Sequence, residues 1–455
     1  MINASKIVMS YTGWVWILIF FRIVLFASYV GVSGEYLEED SGYYLWLADI
    51  LREHHVFAQS DQPPFSPQIF RTPGYPAFLA FFKIIGLSNP YWVCFFQELI
   101  YGFSVLIFFR FSKSFFSEKL VRYAVIFLLI EPGGLSVPKM MMSETLFLPF
   151  FLGALFAIGY YLKTLNYRYL IYSGVLMGLG AYIRPAILYF PLVIAITLVI
   201  FACKDRIRWL HAGALLLAFT LIISPWLLRN YYHFGKLVMS GQQSNMLANY
   251  HVPMVWESAK GIPFWRGHEQ IKSDVKQAVQ QKSKSLDRSL NTVEIMEIEQ
   301  QLALTELKKH PWHYLKQWGF GILKTMNGAN LLGVYHAFRY QEKRVRFFEV
   351  DALDFKDKVF TFLINQDYFY IFEVLLRVLI AGFALCGAVW VVIKKDCFFW
   401  VFMLANFYFI CTPGPMGYAR FRFPVEVFWF IQAYFGFIWL LSVIKKRSLW
   451  CDKRF

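Results

Sequence analysis

The sequence predicts an all-α polytopic membrane protein, a bundle of about ten transmembrane helices with outward-facing loops and juxtamembrane helices. Three observations carry the helical, membrane-spanning part of that reading. Hydrophobic residues make up 58% of the 455 and aromatics 20%, while only 16% are charged. A soluble domain carries roughly a quarter charged residues. Long apolar runs recur along the chain, and Lys/Arg clusters fall on every second connection between them, which is the signature of cytoplasmic loops.

The first run, Trp14 to Val32, is long, carries Arg22 and is followed by many others, so it reads as a retained helix rather than a signal peptide. Further runs lie near 91–111, 120–137, 143–162, 169–183, 185–202, 208–227, 368–393, 397–411 and 424–444. Between them sit Arg110, Lys113, Lys119 and Arg122, then Lys163 and Arg168, then Lys204, Arg206 and Arg208, then Lys394 and Lys395, with Lys445, Lys446, Arg447, Lys453 and Arg454 in the tail. This alternation places both termini in the cytoplasm of a cell (inner or plasma) membrane protein and requires an even number of spans. The net charge of +15 is absorbed by the same rule, so nucleic acid is not an expected partner. The six cysteines are scattered, with no CxxC pair, and indicate neither a zinc site nor a disulfide framework.

The expected organisation is an N-terminal membrane module over 1–228 that includes an outer loop at 33–90, an outward-facing segment over 229–367, and C-terminal helices with a basic tail over 368–455. In the outer segment, Asn291 followed by Glu294 forms a capping-box pattern. The helix it opens shows Ile295, Ile298 and Leu302 on one face and stops at Pro311. The stretch from Trp312 to about Leu332 mixes aromatic, apolar and Lys residues and reads as an interfacial helix. Residues 75–87 are too short for a span and read as juxtamembrane. Gly174 and Gly178 form a GxxxG pair, read as close helix packing.

Candidate chemistry gathers at the outer edge. Glu39-Asp40-Ser41 follows the first span, and a carboxylate there is placed to act as a general base, although an ordinary solvated acidic loop is the alternative. Arg71-Thr72-Pro73-Gly74-Tyr75-Pro76 is a rigid turn that sets Arg71 at the membrane surface, where a guanidinium suits bidentate phosphate binding. Glu144 opens a span; a functional acid and a residue favoured by the helix dipole are both open readings. Arg184, Arg420 and Arg422 lie on outward connections, against the charge bias. Arginines beside an acidic loop are what a lipid-phosphate site requires, neutralising an anionic leaving group while a carboxylate activates a hydroxyl. No P-loop, dinucleotide fingerprint, HExxH or GxSxG occurs, so activation must arrive in a membrane-borne substrate.

In this order the motifs resemble those of GT-C-fold glycosyltransferases of the protein-mannosyltransferase and aminoarabinose-transferase type. Glu39-Asp40-Ser41 before Tyr44 and Ala48 is similar to that family's first-loop acidic motif, and Arg71 to Pro76 to its basic-Pro-Tyr-Pro element. Ser143 to Phe147 resembles its second outer loop; Arg184-Pro185, Pro225-Trp226, Arg229-Asn230, Phe234-Gly235 and Arg420 to Pro424 resemble its later landmarks.

The resemblance implies transfer of a sugar from a polyprenyl-phosphate donor, with inversion, to a protein, lipid or glycan acceptor at the outer face. It implies Asp40 as the base, Glu39 as a second acid and Glu144 as a group that places donor or acceptor. Arg71, Arg184, Arg420 and Arg422 would hold the lipid phosphate. No cofactor is expected, and a divalent metal is left open. The family commonly has Asp before Glu where this chain has Glu39-Asp40, which keeps the base open between the two. Competing readings are a transporter or flippase, and a polymerase or ligase, of lipid-linked saccharides. A transporter commonly carries internal repeats and midplane polar groups; this sequence shows no clear repeat, and its charged candidates sit at one edge.

Overall fold

Every apolar run is helical in the computed structural model, which describes residues 11–33, 40–202, 206–328, 368–394 and 397–444. The helices are α1 (Tyr11–Ser33), α2 (Ser41–His54), α3 (Gly74–Ile84), α4 (Pro90–Ser112), α5 (Glu118–Ile130), α6 (Pro132–Ser136), α7 (Glu144–Thr164), α8 (Arg168–Ile183), α9 (Phe190–Ala202) and α10 (Arg206–Phe234). The segment after α10 then supplies α11 (Gln242–Met246), α12 (Val252–Lys260), α13 (Phe264–Leu286), α14 (Thr292–Lys309) and α15 (Pro311–Asn327). The chain returns to the bundle with α16 (Tyr368–Lys394), α17 (Cys397–Cys411) and α18 (Glu426–Ile444). Among the described residues there is no strand beyond one isolated bridge between Ala58 and Pro67.

The chain is a multi-pass membrane protein. Among the described residues, five helical stretches, Pro90–Ser112, Glu144–Thr164, Ile207–Phe234, Phe372–Lys394 and Ala419–Ile444, have the length and apolarity to cross a bilayer alone. A sixth forms if α5 and the stretch Pro132–Lys139 count as one span, bent by 48°. The break falls where Pro132 removes a backbone donor. The remaining apolar runs form α1, α8, α9 and α17. The short run at 75–87 forms α3, and the mixed stretch from Trp312 falls in α15, with Trp312, Leu315 and Leu323 exposed. Glu35, Glu38, Glu39, Lys204, Lys395, the basic residues from Lys445 onward and the stretch 329–367 lie outside the described residues.

Helices in a bilayer associate by close packing rather than by a hydrophobic drive. The aromatic content serves this: Phe115 stacks on Phe398 with ring centroids 4.5 Å apart, as does Phe402 on Phe428. The GxxxG pair packs α8 on α10. A Cβ added at Gly174 would lie 2.5 Å from the Leu215 carbonyl oxygen, and one at Gly178 would lie 2.6 Å from Ile222.

Charges inside the bundle are paired, as an apolar interior demands. Arg22 on α1 pairs with Glu98 on α4 and donates to the Leu129 carbonyl at 3.1 Å. Glu131, at the α5–α6 break, accepts from the Gly133 amide at 2.8 Å and from Arg377 Nη2 on α16 at 2.8 Å. Arg377 also pairs with Glu426 at the start of α18, so one guanidinium ties the break to two C-terminal helices. Helices α12, α13 and α14 pack on each other through Val252, Val255, Trp256, Ile271, Ala303 and Leu307. The predicted capping box is present: the Glu294 amide donates to Asn291 Oδ1 at 2.9 Å and the Asn291 amide to Glu294 Oε2 at 2.8 Å. Ile298 is buried on the predicted face, with Ile295 and Leu302 half-buried beside it.

Candidate active site

Asp40 stands at the N-terminal boundary of α2, yet its side chain makes no capping bond to the helix. Instead its carboxylate accepts from Arg71 Nη2 at 2.7 Å and from Arg420 Nη2 at 3.2 Å. The neighbouring Ser41 is fully buried and donates to the Met141 carbonyl at 3.1 Å, which fixes the start of α2 against the segment leading into α7.

Arg71 is held from several sides. Its guanidinium lies over the Tyr44 ring, 5.0 Å from the centroid, and Nη1 donates to the Tyr44 hydroxyl at 3.3 Å. Such stacking keeps the planar fork oriented. The backbone before it is clamped by residues in the last turns of α10 and just after it. Arg229 donates to the Gln68 and Phe57 carbonyls at 2.5 and 3.0 Å, Ser240 Oγ to the Phe70 carbonyl at 2.7 Å, and the Gly241 amide to the Ile69 carbonyl at 3.0 Å. Gly74 allows α3 to begin against α8, because a Cβ there would lie 2.6 Å from the Tyr182 carbonyl oxygen.

The second acid, Glu144, opens α7. Its carboxylate is 2.6 Å from Arg184 Nη1 and 4.0 Å from Arg420 Nε. The result is an alternating row, Arg71, Asp40, Arg420, Glu144 and Arg184, in which Arg420 is shared between the two acids. Among the described residues of the row, three guanidiniums against two carboxylates leave one positive charge in excess. The row is graded in depth: the Glu144 side chain is 1% exposed, Arg71 10%, Arg184 12%, Arg420 24% and Asp40 29%. Asp40 and Arg420 are therefore the groups a ligand meets first. Burial raises the Asp40 carboxyl, but the Arg71 and Arg420 charges outweigh it and hold its pKa below the ordinary 3.8, so it is ionised at neutral pH.

Five of the seven residues singled out in the sequence thus meet in one row. Glu39 lies outside the described residues. Arg422 does not join them. It is fully buried, with Nε on Glu426 at 2.6 Å and Nη1 on the Thr325 and Met326 carbonyls. The reason is local geometry. Residues 419–425 form a 3-10 turn, and at three residues per turn positions two apart point in different directions. Sequence reading missed Glu131, Arg377 and Glu426 altogether. The available signal was that a charge inside an apolar run requires a partner.

Residues 70–228 match the sequence profile of the dolichyl-phosphate-mannose-protein mannosyltransferase family. The fold is similar to that of the archaeal oligosaccharyltransferase AglB from Archaeoglobus fulgidus, solved with an inhibitory peptide and a dolichol-phosphate. The TM-score is 0.50 at 12% sequence identity, and the superposition covers 98% of this chain and 52% of AglB. The chain has a GT-C fold. It spans about half the length of AglB, and at that identity the likeness speaks for the GT-C fold alone. No curated protein matches the chain in sequence. Within the GT-C fold, Arg71, Glu144 and Arg184 fall in the family-matched stretch, whereas Asp40 and Arg420 lie on either side of it.

Proposed function

We propose that this protein is a membrane glycosyltransferase that moves a sugar from a polyprenyl-phosphate carrier to an acceptor hydroxyl at the outer face of the membrane. The observation that carries the proposal is the row itself. A partly open carboxylate sits between two arginines, and the row has one positive charge left over for an anionic ligand. Guanidinium forks match phosphate oxygens bidentately, so Arg71, Arg184 and Arg420 are assigned to the carrier phosphate.

In the reaction the acceptor oxygen attacks the anomeric carbon, and its proton passes to Asp40. The bond from that carbon to the phosphate oxygen breaks, and polyprenyl phosphate leaves as an anion neutralised by the arginines. Attack opposite the leaving group inverts the anomeric centre. A carboxylate bound by two guanidiniums is a weak base. A phosphate that draws Arg71 and Arg420 onto itself releases Asp40 and strengthens it as a base, so donor binding prepares the acceptor step. Glu144, buried under Arg184 and Arg420, orients those two guanidiniums and places the donor. Glu39 is the second acid of the loop. Both ends of the chain are assigned to the cytoplasmic side, which puts the row and α11 to α15 outside, with the acceptor approaching from those helices.

The test is sugar transfer by the purified protein from a synthetic polyprenyl-phosphate sugar, followed by release of polyprenyl phosphate. Asp40→Asn is expected to lower the rate by roughly 100- to 10,000-fold, the span of general-base contributions, without loss of folded protein. Full activity in both Asp40→Asn and Glu39→Gln sinks the assignment. Cysteine-accessibility labelling of residues 242–327 in intact cells checks the sidedness, and cytoplasmic labelling overturns it.

A further inference from the structure

We infer that Arg422 is a positioning residue that couples the outer helices to Arg420, and through it to the lipid-phosphate end of the site. The inference rests on the phosphate role proposed for Arg420. Arg420 and Arg422 sit two residues apart on one 3-10 turn, Ala419–Val425. Arg420 reaches out to Asp40 and Glu144, whereas Arg422 reaches in. Its Nη1 donates to the Thr325 and Met326 carbonyls, and Nη2 to the Gly328 carbonyl at 3.3 Å. The Thr325 and Met326 carbonyls are among those that a helix leaves unpaired at its C-terminus, here the end of α15, and Gly328 is the residue that caps it.

The contact is built for transmission rather than for charge balance alone. Nε of the same guanidinium is fixed by Glu426 at 2.6 Å, and Glu426 is in turn held by Arg377, itself bound to Glu131 at the α5–α6 break. One end of the relay is therefore anchored in the membrane bundle and the other in α15. Helix α15 also grips the loop before the turn. Trp318 Nε1 donates to the Cys411 carbonyl at 2.9 Å, and the Gly321 backbone packs against Gly414 and Gly417. A displacement of α15, such as an acceptor docking on the outer helices would cause, has a direct mechanical route to the backbone that aims Arg420.

Arg422→Lys keeps a cation beside Glu426 but cannot span three carbonyls. Three properties are read on purified protein: the melting temperature, the kcat and KM for sugar transfer, and the affinity for polyprenyl monophosphate. Arg422→Lys is expected to keep the acceptor KM, while kcat and polyprenyl-monophosphate affinity fall roughly 10- to 100-fold, as a misplaced binding group produces. The double variant Arg422→Met/Glu426→Gln, which removes the buried pair together, is expected to fold and to show the same loss. If either variant, once folded, keeps wild-type kcat and phosphate affinity, Arg422 is structural only and the inference fails. Arg420→Gln separates the two levels. If it binds polyprenyl monophosphate like wild type, the phosphate assignment itself is wrong. If it loses binding while Arg422→Lys does not, only the coupling is wrong.

Discussion

Arg420 and Asp40 are 380 residues apart in the chain, and their side chains meet at 3.2 Å. The pair joins the turn before the last helix of the bundle to the loop that follows the first, and it occupies the most open part of the arginine–carboxylate row.

Because Arg420 also lies 4.0 Å from Glu144, removing it unbalances both acids. Arg420→Gln is expected to lower kcat/KM for the lipid-linked donor by about 100-fold or more, the scale seen when a donor to a developing anion is lost. A cycle of Asp40→Asn, Arg420→Gln and the double variant, followed by steady-state kinetics, should show strong non-additivity for groups in direct contact. Simple addition of the two losses would mean that the pair does not act as a unit.

The paired state of Asp40 also has a pH signature. Its folded pKa lies below the ordinary 3.8 because the arginine charges outweigh burial. The stability it contributes is therefore present above about pH 4 and is lost as the pH falls through the lower folded value. Denaturation of wild type and Asp40→Asn between pH 3 and 7 should show a gap that is constant near neutrality and narrows only at the acid end. A gap that instead opens on acidification would contradict the sign.

The two glycines of α8 are expected to be alike in their intolerance. At Gly174 an added methyl meets the Leu215 carbonyl, which belongs to the α10 backbone, and at Gly178 it meets the Ile222 Cβ, which no change of rotamer moves. Neither contact is relieved unless α8 and α10 move apart. Gly174→Ala and Gly178→Ala should therefore each cost about 1–3 kcal/mol, typical of overpacking. Thermal melting of the two variants in detergent checks this, and a wild-type midpoint in either would contradict the close packing.

Arg377→Met should be more severe than either glycine change. It leaves Glu131 and Glu426 buried without their shared cation, a situation that costs about 3–5 kcal/mol. Adding Glu131→Gln should recover part of the loss in the same melting experiment, because Glu426 keeps Arg422 as its cation whereas Glu131 has lost Arg377. No recovery would show that the charges are not the source of the instability.

What the sequence determined by itself is local. Apolar runs, the Asn291–Glu294 cap and the GxxxG pair act through the backbone within a few residues, so helices and their ends were legible without a partner. That Asp40, Arg71, Glu144, Arg184 and Arg420 each sit next to the end of an apolar run was legible too. Their order in the row was not, since it depends on how α2, α7, α8 and the 419–425 turn pack. Nor was the ion network: Arg377 and Glu131 are 246 residues apart, and a charge in an apolar run announces that it needs a partner without saying which. Arg422 shows the limit most plainly. In sequence it is one of two equivalent arginines on an outward connection. Only the threefold turn of its backbone, and the unpaired carbonyls waiting at the end of α15, decide that it faces inward while Arg420 faces the site.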